Sequence, residues 1–175
     1  MRRERGFTLV EGMVSTFIFA LLIAIVIGFL VPTNQAATRV RNEAQLIDQS
    51  RAAMARIEKD ALNACALEAS SSGTVAVFRL NRYSSNGDIL ANQYDNVTYS
   101  ASGRVLRYSR GSISQTLLGD LDSTVTPFSY FGATLQSASP SSACLIRVAL
   151  QAKQRANHGQ VVSLQTRDFR LRNAP

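Results

Sequence analysis

The sequence predicts an α+β fold, one long helix followed by a largely antiparallel β-sheet. Three observations carry that expectation. Residues 7–31 form an apolar run in which Glu11 is the only charge. From Arg39 to Ala69 no glycine or proline interrupts the chain, and apolar residues recur there at helical spacing. Beyond Gly73, β-branched and aromatic stretches are separated by turn residues, the pattern of short strands.

The apolar run is long enough, at about 1.5 Å rise per residue, to cross a hydrocarbon core of about 30 Å as a helix. Arg2, Arg3 and Arg5 precede it and no further basic residue follows until Arg39, so the positive-inside bias keeps the N-terminus cytoplasmic and sends the remainder outward. A secretory signal peptide would carry small residues around a cleavage site beyond the apolar run. Here that end reads Gly28-Phe29-Leu30-Val31-Pro32-Thr33-Asn34, which does not supply them. Gly28 and Pro32 lie near the outer end of the span, where proline removes one backbone donor, and a bend or local melting is expected there.

The upstream boundary is more informative. Arg5-Gly6-Phe7-Thr8-Leu9-Val10-Glu11 closely resembles the prepilin-type cleavage and methylation motif of type IV pilins and pseudopilins: a short basic leader, Gly, Phe, and Glu as fifth residue of the mature chain. The resemblance implies that a prepilin peptidase cuts after Gly6 and methylates the new amino terminus at Phe7. Glycine suits the cut because a residue without Cβ passes through a narrow cleft at little steric cost. A carboxylate inside a span costs up to a few kcal/mol, about 2.5–3.5 for Asp at the centre and less near an interface, and so calls for a partner. For Glu11 the family supplies one, the amino terminus of a neighbouring subunit.

After the span, Val40, Ala44, Ile47, Met54, Ile57, Ala61 and Ala64 make an apolar stripe, with Arg41, Asp48, Arg51, Glu58 and Lys59 opposite. Ser70-Ser71-Ser72-Gly73 ends the helical pattern. Strands are expected at 74–80, 97–101, 105–108, 124–131, 144–151 and 161–171, with turns at Ser102-Gly103 and Asn157-His158-Gly159. Pro127 marks its strand as an edge. The organisation is therefore a leader at 1–6, a membrane helix at 7–31, an amphipathic helix at 32–69 and a β-rich domain at 70–175. Short matches such as Arg56-Ile57-Glu58-Lys59-Asp60, Phe128-Ser129-Tyr130 and Phe169-Arg170-Leu171 are similar to minor pseudopilin J of type II secretion and to minor pilins of the W group.

Catalytic chemistry is not indicated. The single histidine, His158, falls in a turn with no nucleophile motif around it, and no phosphate-binding glycine loop is present. No cofactor or metal is expected, since Asp120-Leu121-Asp122 and Asn86-Gly87-Asp88 read as turns without the carboxylate density of a calcium loop. Cys65 and Cys144 are the only cysteines and, in an oxidising compartment, are expected to pair.

The resemblance thus implies a minor pilin or pseudopilin in the bacterial inner membrane with a periplasmic domain. Its partners would be other pilin or pseudopilin subunits, the prepilin peptidase and an inner-membrane assembly platform. Of the formal charge of +7, the leader carries +2, which leaves +5 for residues 7–175. That excess, with Arg79, Arg82, Arg104, Arg107 and Arg110 on or beside strands, motivates a DNA-capturing pilin as the alternative. An uncleaved single-span envelope protein is a third reading.

Overall fold

The computed structural model describes residues 8–156 and 159–171. The chain divides into two compact units, Met1–Asn42 and Glu43–Pro175. Helix α1, Leu9–Asn63, is the only α-helix among the described residues, and eight strands follow it.

In the first unit, α1 is unbroken through Gly12, Gly28 and Pro32, so the expected melting does not occur. Its polar side chains are satisfied locally. The hydroxyls of Ser15, Thr16, Thr33 and Thr38 donate to the carbonyls of Glu11, Gly12, Phe29 and Asn34, at 2.8, 2.8, 2.7 and 2.9 Å. A donor satisfied by its own helix can enter hydrocarbon without an orphaned bond. The apolar side chains of this unit, Phe17 and Phe29 among them, are exposed. This helix is long and apolar enough to cross a membrane.

In the second unit, the last part of α1 buries Leu46, Ser50, Ala53, Met54, Ile57 and Ala61. The stripe begins later than the sequence suggests, for Val40 and Ala44 are exposed. The helix ends at Asn63, whose side-chain amide donates to the Lys59 carbonyl at 2.8 Å. It does not run on to Ala69: Ala64–Leu67 instead form β1, pairing antiparallel with β2 (Val75–Tyr83). Alanine and leucine favour helix intrinsically, but an adjacent strand edge offering ladder bonds outweighs a few tenths of a kcal/mol of propensity.

Strands β1 and β2 continue through β3 (Ile89–Ser102), β4 (Val105–Arg110) and β5 (Ile113–Leu118) as a five-stranded antiparallel meander in chain order. The expected Ser102-Gly103 turn joins β3 to β4, with Gly103 at φ 59° in the left-handed region that glycine enters freely. A second sheet comprises β6 (Phe128–Phe131), β7 (Leu145–Ala156) and β8 (Gly159–Arg170), again antiparallel. Pro127 precedes β6, which is an edge strand as proline requires.

The core lies between α1 and the inward residues of both sheets. Ala76, Phe78, Val97, Tyr99, Leu106 and Ile146 are fully buried on alternate strand positions. Phe78, Tyr99 and Tyr108 meet edge to face, with centroids 5.7 and 5.5 Å apart, an arrangement the ring quadrupoles favour. The sheets are stitched together twice. At one seam the Phe128 amide donates to the Gly73 carbonyl at 3.0 Å, and a Cβ on Gly73 would lie 2.5 Å from Thr126 Cγ2, so any larger residue there would have to displace the Thr126 side chain. At the other, the amides of Leu121, Asp122 and Lys153 donate to the carbonyls of Arg104, Gln151 and Asp120.

The expected Cys65–Cys144 disulfide is not formed in this structure. The Cys65 thiol, on β1, donates instead to the Arg79 carbonyl of the neighbouring strand at 3.1 Å.

Candidate functional site

The sequence places its candidate functional residues at and just before the start of α1. Arg2, Arg3, Arg5, Gly6 and Phe7 lie outside the described residues, as does His158. Thr8 and Glu11 are described. Thr8 immediately precedes the helix, and its Oγ1 accepts from the Glu11 amide at 3.4 Å while the hydroxyl lies 3.5 Å from Glu11 Oε2. Thr8-Leu9-Val10-Glu11 thus has the spacing of a capping box, in which the first and fourth residues satisfy amides that the helix cannot. The signal is present in the sequence as Thr8 and Glu11 three residues apart ahead of an apolar run. The carboxylate also sits in the first turn, where the helix dipole favours negative charge. It is exposed and makes no ion pair among the described residues, so one carboxylate face remains available to a cation.

The regularity of the helix here matters for that role. The Gly12 amide reaches the Thr8 carbonyl at 3.2 Å, so the first turn closes despite glycine's low propensity. Glu11 is thereby held on a formed helix.

In the second unit, polar contacts fix α1 to the sheets. Tyr99, fully buried, donates to Asp60 Oδ2 at 2.5 Å. Burial first, and then this bond, push the Tyr99 phenol far above its ordinary value, so it stays a neutral donor. Arg56 lies 4.0 Å over the Tyr108 ring, and its guanidinium is pushed up chiefly by contact with that phenol. Ser50 and Ser163 share a buried hydroxyl bond of 3.3 Å, and Arg167 reaches Glu58 at 3.1 Å.

The acidic turn at Asp120-Leu121-Asp122 has other employment. Asp120 Oδ1 accepts from Arg104 at 2.8 Å, and Asp122 Oδ2 lies 2.5 Å from Lys153 Nζ. Thr124 adds its amide and hydroxyl to Asp122 Oδ1 at 3.0 and 2.8 Å. Among the described residues no group of three His, Cys, Asp or Glu side chains gathers as a metal site would require. Lys153 first, then Thr124, hold the Asp122 carboxyl down at about 2. A depressed carboxylate stabilises the fold above its unfolded range, and that contribution is lost as pH falls through about 2. Lys153→Met, which removes the largest cause, is expected to move the acid-unfolding midpoint to higher pH, read by circular dichroism during acid titration. An unmoved midpoint would contradict the pairing.

Of the five arginines that suggest nucleic-acid binding, four are engaged. Arg79 meets Glu68 at 2.7 Å, Arg104 meets Asp120 at 2.8 Å, and Arg82 and Arg110 both approach Asp95, at 3.5 and 2.8 Å. Only Arg107 has no carboxylate partner among the described residues. Asp95 is shared, so three carboxylates answer these four guanidiniums and offset most of the charge a phosphate backbone would meet.

A search of curated proteins finds no match to the chain. A family model for the prokaryotic N-terminal methylation motif matches residues 1–27, which include Gly6, Phe7 and Glu11. That motif belongs to structural proteins, not to enzymes. With an antiparallel β domain behind its apolar helix, the chain carries the prokaryotic N-terminal methylation motif on an α+β architecture that is pilin-like.

Proposed function

We propose that this chain is a minor pilin or pseudopilin, a structural subunit that helps start or cap a pilus or a type II secretion pseudopilus. One observation carries the reading: an exposed carboxylate, Glu11, is held in the first turn of an apolar helix directly after the Gly6-Phe7 cleavage sequence. A prepilin peptidase cuts after Gly6 and methylates Phe7. The precursor sits in the bacterial inner membrane with Arg2, Arg3 and Arg5 in the cytoplasm and the β domain in the periplasm. An assembly platform then feeds the mature helix among the helices of other subunits, where Glu11 meets a neighbour's amino terminus. The ion-paired state of Arg79, Arg82, Arg104 and Arg110 favours this over DNA capture.

The test is the mature N-terminus. Mass spectrometry of the protein purified from membranes is expected to find N-methylated Phe7 as first residue. Gly6→Val, which puts a β-branched side chain at the cleavage position, is expected to leave the precursor uncut. A mature chain beginning at Met1, or beyond Val31, would refute the assignment.

A further inference from the structure

A groove of about 1220 Å³ opens in the second unit, between the last turns of α1, the loop after β6 and the meeting ends of β7 and β8. It is larger than the roughly 300–1,000 Å³ of small-molecule clefts, which suits a stretch of polypeptide better than a metabolite. Its apolar lining includes Leu62, Leu135, Leu145 and Leu171. Two of these are unusually uncovered, Leu62 at 48% and Leu135 at 69% exposure.

Leu135 is also strained. Its φ of 60° lies in the left-handed region, where a Cβ crowds the backbone and a bulky residue is a genuine outlier. The loop holds it there through the Leu135 amide donating to the Gly132 carbonyl at 3.0 Å and the Gly132 amide to the Gln136 carbonyl at 2.9 Å. Glycine or asparagine would adopt this conformation more easily, so a leucine held outward here gains nothing for the free fold.

The charges of the groove are unbalanced. Glu58 is neutralised by Arg167 at 3.1 Å. Lys59 and Arg170, which also line the groove, have no ion pair among the described residues. Lys59 and Leu62 stand three residues apart on α1 and so share a face, which places a cation beside an apolar contact.

The geometry points to a docking site for an extended apolar peptide segment of another protein, carrying a carboxylate that Lys59 and Arg170 receive while Leu62 and Leu135 cover its apolar side chains. The charge complementarity selects an acidic segment, and the leucines select an apolar one. This inference stands whether or not the chain enters a filament.

The experiment pans a random phage-displayed peptide library against the full chain in lipid nanodiscs, with empty nanodiscs as the control. Enriched peptides are expected to combine large aliphatic residues with Asp or Glu. By fluorescence anisotropy, the Lys59→Glu/Arg170→Glu double variant is expected to weaken their binding by about tenfold or more. Leu135→Gly relieves the strained φ, so it is expected to keep or raise the melting temperature while weakening peptide binding, a combination that a merely structural leucine would not give. The proposal is overturned by no enrichment over empty nanodiscs, by basic or uncharged peptides, or by binding indifferent to these variants. Self-association of the chain that Leu135→Gly abolishes, without peptide binding, would assign the groove to a second copy and overturn it as well.

Discussion

Glu11→Leu is expected to yield a subunit that is cleaved normally and then excluded from filaments. The leader and Gly6-Phe7 are untouched, so the cleavage proposed after Gly6 is expected to proceed. Leucine also removes the cost of a carboxylate in lipid, a few kcal/mol at most and less so near an interface, so the span is retained at least as well. The helix start survives, because Thr8 Oγ1 still accepts from the amide at position 11, and only the weaker 3.5 Å contact with Glu11 Oε2 is lost. What disappears is the one negative group in residues 8–31 able to attract a neighbour's amino terminus. Fractionating sheared filaments from cells making matched levels of wild-type and variant protein reads the outcome. The variant is expected in the inner membrane as mature protein and largely missing from the sheared fraction. Equal incorporation would refute the pairing role of Glu11 and leave the processing motif standing.

Phe78→Ala is expected to cost about 3–5 kcal/mol, by lost transfer energy plus the cavity left behind. The ring is fully buried on β2 and packs edge to face on Tyr99, which in turn carries the bond to Asp60 of α1. The damage therefore passes from sheet to helix. Domains are stable by about 5–15 kcal/mol, so one truncation here removes a large share. Ile113→Ala on β5 is the control: at 64% exposure its side chain buries little, and the change is expected to stay within about 0.5 kcal/mol. Thermal unfolding of both variants in the same detergent gives the comparison. A Phe78→Ala loss as small as that of Ile113→Ala would contradict the core described above.

Most of the architecture is legible in the residues because it follows from periodicity. The apolar run of α1, the alternation of Ile146, Val148 and Leu150 and the Ser102-Gly103 turn each state their own conformation. What was missed lacks a local signal. Strand β5 reads Ile-Ser-Gln-Thr-Leu-Leu and is exposed over its first four positions, so no alternation marks it. Strand β1 is composed of helix formers, and only its pairing with β2 makes it a strand. The division into two sheets was likewise invisible, since it depends on the seams at Gly73 and at Leu121–Asp122.

The sequence by itself determined the membrane-length helix, the α+β order and the processing and methylation motif, because each is written in contiguous residues whose chemistry needs no distant partner. Only the tertiary structure decided where α1 stops, which carboxylates the arginines answer to, how Cys65 is engaged, and that Leu62, Leu135, Lys59 and Arg170 share one groove. Those features join residues far apart in the chain, and ladder bonds, ion pairs and grooves exist only once folding has brought the distant segments together.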